Sequence, residues 1–148
     1  MSTPSAPLNL PLYGASFGRS IARYFKKYAT FSGRASRSEY WWVFLFNAII
    51  GVVVWILALV FGVAGAQIDS ATGTALPGPG YFVIIGLAGL WGLATIVPYL
   101  AISWRRLHDT NKSGAFWFLS FIPFVGGIIV LVLQLLDSDP AGARFDQP

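Results

Sequence analysis

Residues 40–66 read YWWVFLFNAIIGVVVWILALVFGVAGA, a run without one charged side chain. A helix rises about 1.5 Å per residue and a bilayer's hydrocarbon core is about 30 Å thick, so roughly 20 such residues suffice to cross it. This run is longer and crosses with room for tilt. Tyr40, Trp41 and Trp42 stand at its start, where amphipathic rings settle at the headgroup boundary. Lipid is the solvent this stretch is built for.

The composition agrees. Of 148 residues only 11% are charged and 55% are hydrophobic, against about a quarter charged in an average soluble domain. There is no cysteine, which excludes disulfide frameworks, thiolate metal sites and cysteine nucleophiles. A single His cannot complete a four-ligand zinc site, and no metal or cofactor is expected. The formal charge of +4 comes from ten Lys and Arg beside the apolar blocks, where they orient a chain in a membrane. No nucleic-acid partner is expected. A long polar and basic segment precedes the first apolar run, a pattern unlike a cleavable signal peptide.

Upstream of the run, Phe31-Ser32-Gly33-Arg34-Ala35 breaks a helix, and Ser36-x-x-Glu39 has capping-box spacing. A new helix should start near Arg37, with the first span over 38–66. Further upstream, Phe17, Ile21, Tyr24, Phe25 and Tyr28 recur at helical spacing, opposite Arg19, Arg23, Lys26 and Lys27. The pattern predicts an amphipathic basic helix over 17–30, lying across the ends of the spans and docked on anionic headgroups. Residues 1–16 carry Pro4, Pro7 and Pro11 among Ser, Thr and Asn, a composition expected to be disordered.

Downstream, 67–80 is a Gly, Pro, Ser and Thr connector. A second span follows over 81–106, its uncharged part ending at Trp104 and its latter half carrying Pro98, which should kink it. The third block, 115–136, is long enough for one crossing, and Pro123 with Gly126 interrupts it. One kinked span is expected, with a re-entrant hairpin as the alternative. The fold expected is thus an all-α membrane protein of three transmembrane helices, the third kinked at Pro123/Gly126, preceded by an amphipathic basic interfacial helix. Residues 17–136 form its membrane domain and 137–148 a short polar tail.

Six Lys and Arg precede the first span, none lies in the first connector, three lie in the second and one in the tail. This asymmetry puts the amino terminus and the 105–114 connector in the cytoplasm of a multi-pass protein. The carboxyl tail lies outside if the third block spans and inside if it is re-entrant.

Arg105-Arg106-Leu107-His108-Asp109 is the densest polar cluster of the chain. Two Arg at a helix carboxyl end complement the macrodipole and anchor the span. They also suit a phosphate, whose oxygens match a guanidinium fork. His108 and Asp109 are adjacent and so do not face each other on a helix, and no nucleophile is in evident reach; no catalytic residue is expected. Glu39 sits level with Arg105 and Arg106 and is expected to pair with them between spans. The candidates for anionic-lipid or interhelical ion-pair contacts are Arg34, Arg37, Glu39, Arg105, Arg106, His108 and Asp109.

Phe31-Ser32-Gly33-Arg34-Ala35-Ser36-Arg37-Ser38-Glu39-Tyr40-Trp41 and Arg105-Arg106-Leu107-His108-Asp109-Thr110-Asn111-Lys112-Ser113-Gly114 resemble the two signatures of a bacterial inner-membrane family catalogued as domain of unknown function 805. Ile122-Pro123-Phe124-Val125-Gly126 resembles an element of the family's third hydrophobic block. In the tail, Arg144 and Phe145 keep the family pattern, whereas Ala143 stands for its Asn and Asp146 for its Gly. The resemblance implies the bacterial cytoplasmic membrane and supplies no reaction.

The function expected is non-enzymatic organisation of membrane lipids, anionic ones above all, or of partner proteins. The small-residue faces of the spans also suit a homo-oligomer. The alternative is a subunit of a small oligomeric transporter or channel, since so few helices cannot enclose a polar path alone; a membrane-surface enzyme ranks third.

Overall fold

Helices α1 (Phe17–Lys26), α2 (Arg37–Val63), α3 (Pro79–Asp109) and α4 (Gly126–Leu135) dominate the computed structural model, which describes residues 6–146. The described residues divide into two units, one built from the chain up to Phe44 and from Val97 onward, the other from Leu45–Ile96.

Two of the helices, α2 and α3, are long and apolar enough to cross a membrane. A soluble protein would bury such faces. Here Val52, Trp55, Leu90 and Leu93 are all exposed, and soluble monomers rarely expose continuous apolar surface on this scale. In the Leu45–Ile96 unit, Phe46 meets Trp91 edge to face, 6.0 Å between ring centroids. The Thr95 hydroxyl donates to the Trp91 carbonyl at 2.8 Å, which satisfies it within its own helix. The connector is a small antiparallel ribbon, β1 (Gln67–Ile68) and β2 (Ala75–Leu76), with Gln67 opposite Leu76. The assigned helix α3 continues through Pro98.

In the other unit, Tyr24, Ala35, Tyr40, Val43 and Ile102 form the apolar core, with Ile21 and Trp41 packed against it. Helix α2 begins as its capping box predicts: Ser36 Oγ accepts from the Glu39 amide at 3.2 Å, and Glu39 Oε2 accepts from the Ser36 amide at 3.0 Å.

Three expectations change here. The tail expected to be disordered is packed from residue 6: Leu12 and Ala15 are buried, and Trp42 Nε1 donates to the Ala15 carbonyl at 2.9 Å. Arg23 fixes the segment by donating to the carbonyls of Ala6, Pro7 and Leu10. Side-chain donors here replace the apolar burial that the composition lacks; residues 1–5 lie outside those described. Secondly, α1 ends at Lys26 and splits its basic residues: Arg23 and, just past the helix, Lys27 are buried, whereas Arg19 and Lys26 are exposed along with Phe17, Phe25 and Tyr28. Buried carbonyl and carboxylate acceptors hold Arg23 there.

Thirdly, the expected kinked span over 115–136 is a 3-10 segment, Gly114–Phe121, a turn, and the ten-residue α4. Ten residues rise about 15 Å, half a bilayer core. Pro123 has no amide to continue a helix, and Phe124 takes a left-handed φ of 66°. A Cβ on Gly126 would lie 2.0 Å from the Leu119 carbonyl oxygen, so only glycine permits this fold-back. The block begins at Gly114, against Trp104, and ends with Arg106 Nε donating to the Gln134 carbonyl at 3.0 Å and Nη2 to that of Leu136. Both its ends therefore meet the last two turns of α3.

Candidate functional site

Two charge networks occupy the unit that holds the chain ends. The first centres on Glu39. Its Oε1 takes Arg23 Nε at 2.5 Å, and its Oε2 takes the amides of Leu12 and Ser36, both at 3.0 Å. Arg23 spends its remaining nitrogens on the backbone of residues 6–10. Glu39 thus pairs with Arg23 of α1, and not with Arg105 or Arg106 as expected. Arg23 and Phe17 of α1 meet Glu39 and Trp42 in the first two turns of α2.

The second network centres on Asp109, which is fully buried. It accepts from Arg106 Nη1 at 2.6 Å, the Tyr13 hydroxyl at 2.9 Å and Ser138 Oγ at 2.5 Å, with Arg34 Nη1 3.6 Å away. Arg34 grips Asp146 with a fork, Nε and Nη2 reaching Oδ2 at 3.0 and 2.7 Å. That hydrogen bond, against the opposing effect of burial, raises the Arg34 pKa. Burial first, and the bond to Asp109 second, raise the Tyr13 phenol, so Tyr13 serves as a neutral donor. Asp146, the departure from the tail pattern noted above, is the residue that Arg34 engages.

His108 is enclosed rather than poised. Its Nδ1 lies 3.0 Å from the Gly33 carbonyl oxygen and must carry the hydrogen there. Phe145 stacks on its ring, 4.1 Å between centroids and 3° from parallel. Arg144 lies over the Phe145 ring, its Cζ 4.7 Å from the centroid. Arg37 meets Asp137 at 2.5 Å on the surface, with side-chain exposures of 49% and 90%, where an ion pair contributes little.

Of the seven residues singled out from sequence, Arg34, Arg106 and Asp109 are brought together, with His108 on the same helix turn. Arg37 and Glu39 belong to separate pairs. Arg105 stands apart: Nε donates to the Ala101 carbonyl at 3.2 Å, and among the described residues Nη2 has no partner. Sequence reasoning missed Tyr13, Arg23 and Lys27 as network members. Arg23 and Lys27 are four apart, hence on one face of α1, but the stronger apolar repeat drew that face outward. Among the described residues no group of three or more His, Cys, Asp or Glu could hold a metal ion. Chemically the arrangement can hold anions and lock backbone segments together.

Two long helices with exposed apolar runs, and a buried polar network at their charged ends, define an integral membrane protein of mostly helical build. The chain belongs to the family described as Protein of unknown function (DUF805), whose profile matches residues 28–147. It is 38% identical to the inner membrane protein YhaI of Escherichia coli K12 over 120 residues, which cover 81% of this chain and 86% of that protein. It is 35% identical to the inner membrane protein YhaH of the same strain over 121 residues, covering 81% and 87%. These relatives place the chain among bacterial inner-membrane proteins. No solved structure matches it.

Proposed function

We propose that the protein is a non-enzymatic organiser of the bacterial cytoplasmic membrane, engaging anionic lipids and a membrane protein partner or second copy through its polar end. The observation that carries this reading is the outward face of α1, where Phe17 and Phe25 are exposed with Lys26, and Tyr28 is exposed just beyond the helix end. Apolar rings with adjacent cations suit a helix lying in the headgroup plane. The enclosure of His108 between the Gly33 carbonyl and Phe145 speaks against a catalytic role. Crosslinking in native membranes, followed by identification of the captured lipids and proteins, should recover anionic lipids or a defined partner; capture of neither overturns the reading.

In this arrangement α2 and α3 cross the bilayer, α1 lies on it, and 114–135 is a re-entrant hairpin. The amino terminus, the 105–114 connector and the carboxyl tail all face the cytoplasm. Support comes from the tail's own partners, since Ser138 reaches Asp109 and Asp146 reaches Arg34. A green fluorescent reporter fused after Pro148 should fluoresce and an alkaline phosphatase fusion should be inactive. The opposite pair of results restores a third crossing.

A further inference from the structure

Helix α1 carries Arg19, Ala22, Arg23 and Lys26 at intervals of three and four, hence along one face. The segment before the helix is held beside that face by Arg23, whose guanidinium donates to the carbonyls of Ala6, Pro7 and Leu10. Side chains of the same segment, Ala6, Pro7, Leu8 and Leu12, line a cavity of about 340 Å³ that this face of α1 completes. A second cavity, of about 230 Å³, has Asn9, Thr30 and Ser32 on its wall. Leu8 and Lys26 line both, so the two meet at that pair.

The two halves differ in kind: the larger is walled mainly by aliphatic groups, the smaller by amide and hydroxyl groups. Lys26, at their junction, is exposed, and so is Arg19, two turns back along the helix in the larger half. Arg23 between them is taken up by Glu39 and the backbone, and the Lys27 amine is shut off from solvent, so neither takes part. Among the described residues no acidic side chain lines either cavity. An exposed cation set between an apolar and a polar wall, with no carboxylate to compete, is complementary to an amphiphile whose phosphate joins a polar headgroup to an acyl chain. Pockets for drug-sized ligands run to roughly 300–1,000 Å³, so the larger half takes only the start of a chain. Each methylene buried there tightens binding about fourfold, so chain and charge act together.

We infer that the paired cavities bind one anionic phospholipid, its phosphate at Lys26, its headgroup beside Asn9, Thr30 and Ser32, and the start of one acyl chain against Pro7, Leu8 and Ala22. The inference rests on the reading of the protein as one that engages anionic lipid, and it names a site for doing so.

The test uses the full chain in an uncharged detergent, with thermal unfolding as readout. One arm titrates short-chain phosphatidylglycerol against phosphatidylcholine of the same chains. The other compares sodium phosphate with sodium chloride at matched ionic strength. The wild-type Tm should rise with the logarithm of phosphatidylglycerol concentration, and neither phosphatidylcholine nor inorganic phosphate should reproduce that rise. Lys26→Gln should raise the half-saturating concentration about fivefold, the contribution of one surface cation facing an anionic headgroup, whereas Lys26→Arg should leave it unchanged. Ala22 is exposed on α1, so Ala22→Trp fills the apolar half while keeping the fold and every charge, and it should abolish the rise. Arg37→Gln removes an equal charge outside both cavities and should respond like the wild type. The inference is overturned by a wild type with no phosphatidylglycerol-specific rise, by an equal rise with inorganic phosphate, or by a Lys26→Gln or Ala22→Trp protein that responds like the wild type. An equal loss in Arg37→Gln assigns the effect to net charge and overturns it too. If native-membrane crosslinking captures anionic lipid equally in the wild type and Ala22→Trp, the site fails and the wider reading stands. A phosphatidylglycerol response with no lipid or partner captured does the reverse.

Discussion

Arg106 and Asp109, three residues apart on α3, form an ion pair 2.6 Å long in which neither side chain has any solvent exposure. Both are further saturated, Arg106 by the carbonyls of Gln134 and Leu136 and Asp109 by Tyr13 and Ser138. Such a pair adds little over an apolar substitute, but breaking it strands the survivor. Asp109→Ala should therefore destabilise the protein by about 3–5 kcal/mol, measured by reversible unfolding in mild detergent, and should release the tail to proteolysis. A loss under about 1 kcal/mol, the range of exposed pairs, would contradict the burial described.

The surface pair behaves oppositely. Arg37 and Asp137 are close but exposed, so Arg37→Gln should cost less than about 1 kcal/mol. The same unfolding assay reads this, and the cost should shrink further at high salt, where exposed charges are screened.

Adjacent glycines separate the hairpin from ordinary helix propensity. Gly126→Ala would drive a methyl group against the Leu119 carbonyl, whereas a Cβ at Gly127 meets nothing within 4 Å. The first should cost about 1–3 kcal/mol through overpacking. The second should be neutral or stabilising by up to about 1 kcal/mol. Equal effects in thermal unfolding would argue against the fold-back.

Stability should depend on pH through Lys27. Arg105 and Arg23 press its pKa down and Glu39 and Asp146 press it up, with burial dominating and leaving about 8 against an ordinary 10.5. Between 8 and 10.5 the unfolded chain holds a proton that the folded chain has lost, so stability rises with pH across that window; below 8 the full penalty is present. Thermal unfolding in mild detergent from about pH 7 to 10.5 checks this, and Lys27→Gln should flatten the rise.

What sequence reading reached depended on how local the cause was. The two long helices follow from uninterrupted apolar runs, and the α2 start follows from a motif complete within Ser36–Glu39. The third block was not decidable this way, because its length served either a crossing or a hairpin. The contact that shapes its fold-back, Gly126 against Leu119, depends on the absence of a side chain, and Arg106 holds its end from 28 residues away. The amino-terminal tail misled for a related reason. Its order comes from Arg23 donating across 13 to 17 positions, and composition cannot register a donor supplied from elsewhere. In the site, Arg34, Arg106 and Asp109 were visible as a dense cluster, while Lys27 was hidden by a stronger apolar repeat.

The fork between Arg34 and Asp146 spans 112 positions, and it sets an order of events during synthesis. Domains assemble amino-terminal part first as the chain emerges, so Arg34 is made long before the carboxylate that holds it. The Gly33 amide waits likewise for the Phe145 carbonyl, 2.9 Å away in the finished protein. Phe145 and Asp146 thus latch Gly33 and Arg34, and under the proposed topology the latch can close only if 114–135 has returned the chain to the side on which Arg34 lies. A nascent chain that misinserts that segment keeps its arginines unsatisfied, a difference that the cell's quality-control proteases can read.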